Sequence, residues 1–326
     1  MTESPTPILN AAVDLIERHD KFLVATHIRP DGDAVGSLLA MTRLLQLRGK
    51  SADPFCQDPV PPGHDFLAGV ERIRSRPDNG DLYQVAVLVD CGDLARVGPT
   101  LARYIEKVPV IINIDHHLMT TPFGTVHWVD AGASSTCELL YLLSVRLGLE
   151  LDPELATQLY TGLMTDTGSF RFANTHHRAL EIAGRLAAAG ARPAAIAQQV
   201  YESATPERLR LLAQVLAAAE FFQSDRLAAA ELTQDMIAHC GAAQTDGEGF
   251  IDLLRSVRTV EIAALFREGS DGVVHVSLRS KGTVDVAAFA RRHGGGGHRN
   301  AAAFRLPGER PAAKAEILQQ LMGTLA

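Results

Sequence analysis

Along this chain an apolar run repeatedly ends in an acid or an imidazole. Phe22–Ala25 leads into Thr26-His27-Ile28-Arg29-Pro30-Asp31-Gly32-Asp33, Val85–Val89 ends in Asp90, and Val110–Ile114 ends in Asp115-His116-His117. Leu159–Met164 reads as the apolar end of a helix and leads into Thr165-Asp166-Thr167-Gly168. Runs of Val, Ile and Leu without polar alternation are how strands covered on both faces read. Helix-like stretches separate them. This alternation predicts a parallel, doubly wound α/β sheet, in which ligands bind beyond the carboxyl ends of the strands.

The segment from Thr26 to Ser37 carries one imidazole and two carboxylates on a strand-to-helix turn. His, Asp and Asp at close spacing form a ligand set for a divalent metal. An Asp-Gly turn with an Asp N-cap explains the same residues, and for this segment alone the two readings are balanced. The recurrence decides between them. Helix caps and turns absorb one such aspartate, but four in equivalent settings are poorly explained that way, and a strand-terminal Asp-His-His crowds groups that repel when protonated.

The predicted strands are Phe22–Thr26, Ser51–Phe55, Val85–Val89 and Val110–Ile114. The predicted helices are Ala34–Arg48, Leu101–Glu106, Ser135–Leu147, Pro153–Met164 and His176–Ala189. Two helices broken near Ser203-Ala204-Thr205-Pro206 read as a connector, with Thr205 as N-cap and Pro206 in the first turn. Beyond it, strands Arg226–Leu232, Val260–Phe266 and Val273–Arg279 and helices Phe250–Ser256, Val284–Arg291 and Ala312–Leu321 predict a smaller α+β domain. The expected division is residues 1–192, a helical linker 193–222, and 223–326. Gly294 to Gly297 make a poor helix or strand interior, but their N–H groups suit an anion, and His298, Arg299 and Asn300 add donors.

With these residues in view, the chain resembles the DHH phosphoesterase superfamily, most of all its NrnA-like nanoRNase/pAp phosphatase branch. His27 with Asp31 and Asp33, then Asp90, Asp115-His116-His117 and Asp166 match that family's N-terminal motifs in order. Arg292-His293-Gly294-Gly295-Gly296-Gly297-His298-Arg299-Asn300-Ala301-Ala302 matches the signature of the DHH-associated C-terminal domain. The resemblance runs from about Phe22 to the end of the chain. It implies a DHH domain joined by the helical linker to a substrate-binding domain.

The resemblance also implies two divalent ions, Mn2+ by preference because imidazole is mixed with carboxylate, with Mg2+ or Co2+ as substitutes. His27, Asp31, Asp33, Asp90, His116 and Asp166 would be the ligands. Two ions about 3.5–4 Å apart need a shared anion, and the resemblance gives that place to Asp90. It gives His27 and Asp31 to one metal, and Asp33 and His116 to the other. A hydroxide bridging the ions would attack phosphorus in line. Asp115 is expected to orient His116, and His117 to reach the scissile phosphate; the other reading of His117 is a third metal ligand or a packed histidine. Arg279, Ser280, Gly295, Gly296, Gly297, His298, Arg299 and Asn300 are the expected substrate contacts.

The implied activity is hydrolysis of short single-stranded RNA and linear dinucleotides to mononucleotides, with dephosphorylation of adenosine 3′,5′-bisphosphate (pAp) alongside. A cyclic dinucleotide phosphodiesterase or single-strand exonuclease of the same superfamily is the alternative. A nucleotide-sensing module is the non-enzymatic one, and it would show a damaged ligand set. The net charge of −7 argues against coating long duplex nucleic acid, which needs clustered Lys and Arg. Cys56, Cys91, Cys137 and Cys240 lack metal-like spacing and read as free thiols. No signal peptide or membrane span is expected, so the expected location is the cytoplasm, with a homodimer left open.

Overall fold

The computed structural model describes residues 7–78, 80–117, 122–269, 272–306 and 310–325. The chain divides into two compact units, Met1–Ser203 and Ala204–Ala326.

The first unit runs α1 (Pro7–Arg18), β1 (Lys21–Ala25), α2 (Gly32–Leu47), β2 (Ser51–Phe55), β3 (Val85–Val89), α3 (Pro99–Ile105), β4 (Val110–Asp115), β5 (Val126–Val129), α4 (Thr136–Arg146), α5 (Pro153–Asp166), α6 (His177–Ala188) and α7 (Pro193–Tyr201). Its sheet has the order β2-β1-β3-β4-β5, and each neighbouring pair is parallel. Strand alternation sends Phe22, Val24, Val85, Val87 and Val89 into a core shared with α1, α2, α4, α5 and α6. Leu23, Ala25, Ala86 and Leu88 pack on the other face with Leu101 and Ile105 of α3. Helices therefore cover both faces, which explains why the strands read as continuous apolar runs. Helix α2 approaches α5 closely: a Cβ on Gly36 would stand 2.7 Å from the Gln158 carbonyl oxygen.

The second unit runs α8 (Pro206–Ala217), β6 (Glu220–Phe222), β7 (Leu227–Leu232), α9 (Gln234–Cys240), α10 (Phe250–Ser256), β8 (Ile262–Glu268), β9 (Val274–Ser280), α11 (Val286–Arg292), β10 (Gly296–His298), β11 (Ala301–Leu306) and α12 (Arg310–Thr324). Its mixed sheet has the order β10-β11-β9-β8-β7-β6. Only β7 and β8 run parallel. One face packs on α11 and α12, the other on α8, α9 and α10.

One expectation changes. The helical connector is not a separate piece: Ile196 of α7 lies in the first unit's core, while Leu211 and Val215 of α8 lie in the second's. Thr205 does cap α8, its hydroxyl oxygen accepting from Arg208 N at 3.1 Å. The end of the glycine run, a poor strand interior, supplies β10, a three-residue edge strand antiparallel to β11. Missing side chains make that pairing feasible. A Cβ on Gly295 would stand 2.2 Å from the Ala303 carbonyl oxygen, and one on Gly297, at φ +135°, 2.4 Å from that of Ala301.

Candidate active site

The acids and imidazoles singled out in the first unit converge at the carboxyl ends of β1, β3 and β4 and at the last residue of α5. The Thr26 hydroxyl donates to Val89 O at 3.0 Å, tying the ends of β1 and β3 together. His27 turns Nδ1 toward Ile28 O at 2.9 Å, which leaves Nε2 3.5 Å from Asp90 Oδ2. Asp31 is the N-cap of α2, its Oδ1 accepting from Ala34 N at 3.0 Å, so the capping explanation holds for this residue, which also belongs to a group that could hold a cation. Asp33 lies in the first turn, buried.

Asp33 faces the N-terminus of α4, whose amides favour negative charge. Its Oδ2 accepts from Thr136 N at 2.6 Å and its Oδ1 from Cys137 N at 3.1 Å. His116 turns Nδ1 to Ala133 O at 3.3 Å. Its Nε2 is 3.8 Å from Asp33 Oδ2, 3.6 Å from Asp90 Oδ1 and 3.5 Å from Asp166 Oδ2. Potential ligand atoms of His27, Asp31 and Asp90 lie within 4.8 Å of one another, as do those of Asp33, His116 and Asp166, and those of Asp90, His116 and His117. Asp90 is the residue between them, with Oδ2 toward His27 and Oδ1 toward His116. Its backbone is left-handed, φ 55°, a conformation that Asp tolerates better than most side chains.

Asp115 departs from expectation. Its Oδ1 accepts from His117 Nδ1 at 2.7 Å and from the backbone N–H groups of His116 and His117. It orients the His117 ring, because the chain turns sharply after β4 and brings the ring two residues on over the carboxylate. Burial alone would make His117 lose its proton, but the Asp115 hydrogen bond and the Asp90 charge outweigh it and raise its pKa to about 9. His27 shifts upward in the same way, with Asp90 overcoming burial.

The donor set fits divalent cations. Burial and the charges of Asp90 and Asp166 push the Asp33 carboxyl well up. Burial and the charges of Asp31 and Asp90 do the same to Asp166. Burial also opposes charge on Asp90, but His27, His117 and His116 hold it far below the usual carboxylate range. Four clustered carboxylates exceed what the imidazoles neutralise, and bound cations would relieve the excess.

Several residues at this site were missed from sequence. The Thr136 hydroxyl donates to Asp90 Oδ1 at 3.0 Å. Asn174 Nδ2 bridges Ser134 O at 2.9 Å and Asp166 O at 3.2 Å. Buried Glu138 accepts from Ser134 N at 2.9 Å and from Arg178 Nε at 2.5 Å, bracing the loop that presents Thr136. Ser135 followed by Glu138 three positions on is a readable helix-start signal; the other contacts are long-range. His176 caps α6, its Nδ1 accepting from Ala179 N at 3.4 Å. Both ring nitrogens of His64 are buried without a hydrogen-bond partner among the described residues, and burial lowers its pKa against the charge of Asp31.

The second cluster gathers where β9, β10 and β11 meet. Arg299 Nη2 donates to Thr283 O at 2.8 Å, and Arg279 Nε is 3.8 Å from Asp252 Oδ1. Ser280, expected to touch substrate, is buried. Its hydroxyl donates to Val284 O at 2.8 Å and accepts from Asn300 Nδ2 at 2.8 Å, so it braces the hairpin from inside. Gly296 and Gly297 lie along the same edge, and Gly295 precedes them close to Ala303 and Phe304. The His298 side chain lies outside the described residues.

Comparison with known proteins places both units in known families. Residues 21–163 match the profile of the DHH family, N-terminal domain, and residues 227–325 that of the DHHA1 domain. The bifunctional oligoribonuclease and PAP phosphatase NrnA of Thermus thermophilus is 34% identical over 293 residues, covering 87% of this chain and 84% of its own. The chain belongs to the DHH family. Its Bacillus subtilis relative of the same name is 28% identical over 286 residues, covering 87% of this chain and 88% of its own. The solved structure of an exopolyphosphatase-related protein from Bacteroides fragilis superposes with a TM-score of 0.91 at 26% identity, covering 99% of this chain and 98% of that one. DHH-family phosphoesterases are hydrolases, and this chain is one of them.

Proposed function

We propose that this protein is a divalent-metal-dependent phosphoesterase that hydrolyses short oligoribonucleotides and linear dinucleotides to mononucleotides and removes the 3′-phosphate of pAp. The observation that carries the reading is Asp90, a buried carboxylate with one oxygen toward His27 and the other toward His116. The names of the relatives from Thermus thermophilus and Bacillus subtilis support the substrate class. The intact set of acids and imidazoles disfavours a sensing module.

In this reading His27, Asp31 and Asp90 would hold one ion, and Asp33, His116 and Asp166 the other, with Asp90 shared between them. Mn2+ suits a mixed imidazole and carboxylate set, with Mg2+ or Co2+ able to replace it. When bound, such ions supply Lewis acidity toward water and toward phosphoryl oxygens. The chain's own groups do the positioning. Thr136 fixes one Asp90 oxygen, and the α4 amides fix Asp33. Asp115 keeps a proton on His117 Nδ1, so the imidazolium offers its Nε2–H to a phosphate oxygen. That occupied Nδ1 favours phosphate contact for His117 over metal ligation. Arg279, Arg299, Asn300 and the amides of Gly295, Gly296 and Gly297 take the nucleotide, with Ser280 as their brace. Among the described residues no helix is long and apolar enough to cross a membrane, and all four cysteines are free and buried, in keeping with action in the reducing cytoplasm.

The test incubates the protein with Mn2+ and a diribonucleotide, a five-nucleotide RNA, pAp, pyrophosphate or cyclic di-AMP. Turnover of the diribonucleotide and pAp, abolished in Asp90→Ala, is the expected result. Turnover of pyrophosphate or cyclic di-AMP alone would refute the assignment.

A further inference from the structure

One cation beside this site has no role in the account above. Arg96 sits in the short 3-10 turn Leu94–Val97 that follows Asp90. Its backbone is held from two directions. Asp93 Oδ1 caps the turn at Ala95 N, 2.8 Å away, and Arg96 O accepts from Ile28 N at 2.7 Å. The second bond ties the turn to the loop that carries His27 and Asp31. The side chain, by contrast, is exposed, and among the described residues the guanidinium makes no hydrogen bond and no ion pair.

It nevertheless lies against the site. A Cβ added at Gly92 would stand 3.7 Å from Asp115 Oδ2, 3.8 Å from Arg96 Nη1 and 3.9 Å from His117 Cβ. Glycine at that position leaves the space between them open. Asp115 Oδ2 has no hydrogen-bond partner among the described residues, so the guanidinium is not spent on that nearby acceptor. An arginine with an anchored backbone, an unspent planar fork and a place beside His117 matches what a phosphoryl group requires.

We propose that Arg96 binds a phosphoryl group of the substrate on the His117 side of the site. The inference rests on the phosphoesterase reading but assigns a contact that the family motifs discussed above do not contain. Lysine at this position would supply charge without the two-pronged geometry.

The test uses the full-length protein loaded with Mn2+ and measures uptake of inorganic phosphate by equilibrium dialysis, for wild type, Arg96→Lys and Arg96→Ala. A charge-assisted hydrogen bond lost from such a site weakens phosphate about 10- to 100-fold in Arg96→Ala, with a smaller loss in Arg96→Lys. Mn2+ affinity and Tm should stay at wild-type values, and kcat/KM for the diribonucleotide should fall with phosphate affinity. Phosphate binding within about twofold of wild type in Arg96→Ala overturns the proposal. So does an equal loss of Mn2+ affinity, which would mark a structural role. If wild type takes up phosphate but hydrolyses none of the panel, the substrate reading fails and the arginine assignment stands. If wild type takes up no phosphate at millimolar concentration, the arginine assignment fails whatever the turnover.

Discussion

Gly162 separates folding from metal binding in a way that one substitution can expose. It lies inside α5, where Ala is favoured over Gly by about 1 kcal/mol. The space around it is closed. A Cβ there would stand 2.3 Å from Cys137 Sγ and 2.5 Å from Asp33 Oδ1. Overpacking of this kind costs about 1–3 kcal/mol, so after the helix gain Gly162→Ala should destabilise by roughly 0–2 kcal/mol. At about 2–4 °C per kcal/mol for a large domain, Tm falls by no more than about 8 °C. The effect on the ligand set is larger, because the new methyl displaces Asp33 from the α4 amides; disturbing a ligand's support typically costs about 10- to 100-fold in metal affinity. Calorimetric Mn2+ titration beside a thermal melt reads both quantities. Adding Cys137→Ala relieves the sulfur contact and should recover Tm without recovering Mn2+ affinity, since the Asp33 contact remains. A Gly162→Ala protein that melts higher than wild type and binds Mn2+ within about twofold would refute the argument.

Three further outcomes follow from the same contacts. In metal-free protein the raised pKa of Asp166 makes its contribution complete below the ordinary value of 3.8 and lost as pH rises through the raised one; Asp166→Asn should therefore raise the metal-free Tm near neutral pH, lose that advantage toward pH about 4, and shrink the Mn2+-induced gain, all readable by melts in chelator and in Mn2+. Arg178→Met leaves Glu138 buried without its cation, at a cost of about 3 kcal/mol, and adding Glu138→Gln should restore part of it; an unchanged melt in the single variant would contradict the bracing role. Arg299→Ala should weaken diribonucleotide use at unchanged Mn2+ affinity, and wild-type kcat/KM in that variant would remove the second unit's hairpin from the substrate account.

The first unit was legible because β1, β3 and β4 are covered on both faces and therefore read as largely apolar runs. Each ends at the sheet edge where a polar side chain has solvent or a ligand to meet. Strand β5, Val-His-Trp-Val, is short and at the sheet's edge, so half of it faces outward and it carried no comparable signal. Helix α1 was passed over although its apolar residues Leu9, Val13 and Ile16 recur at helical spacing and are buried. The glycine run carried no strand signal of its own, because poor intrinsic strand propensity does not matter where bare backbone must lie against β11. The Asp115 to His117 pairing, the Thr136 hydroxyl and the Gly162 contact depend on segments far apart in sequence or on the sense of a turn, and spacing alone does not encode either.

The backbone at Asp90 narrows what evolution can do with the position. At φ 55° glycine, asparagine and aspartate are the comfortable occupants, and of these aspartate alone carries a negative charge. Glutamate keeps the charge but loses the short arm and the tolerance for that turn of the chain. Drift to a neighbouring acid is thus closed off twice over, by shape and by chemistry, while asparagine or glycine would keep the bend at the end of β3 and give up the charge.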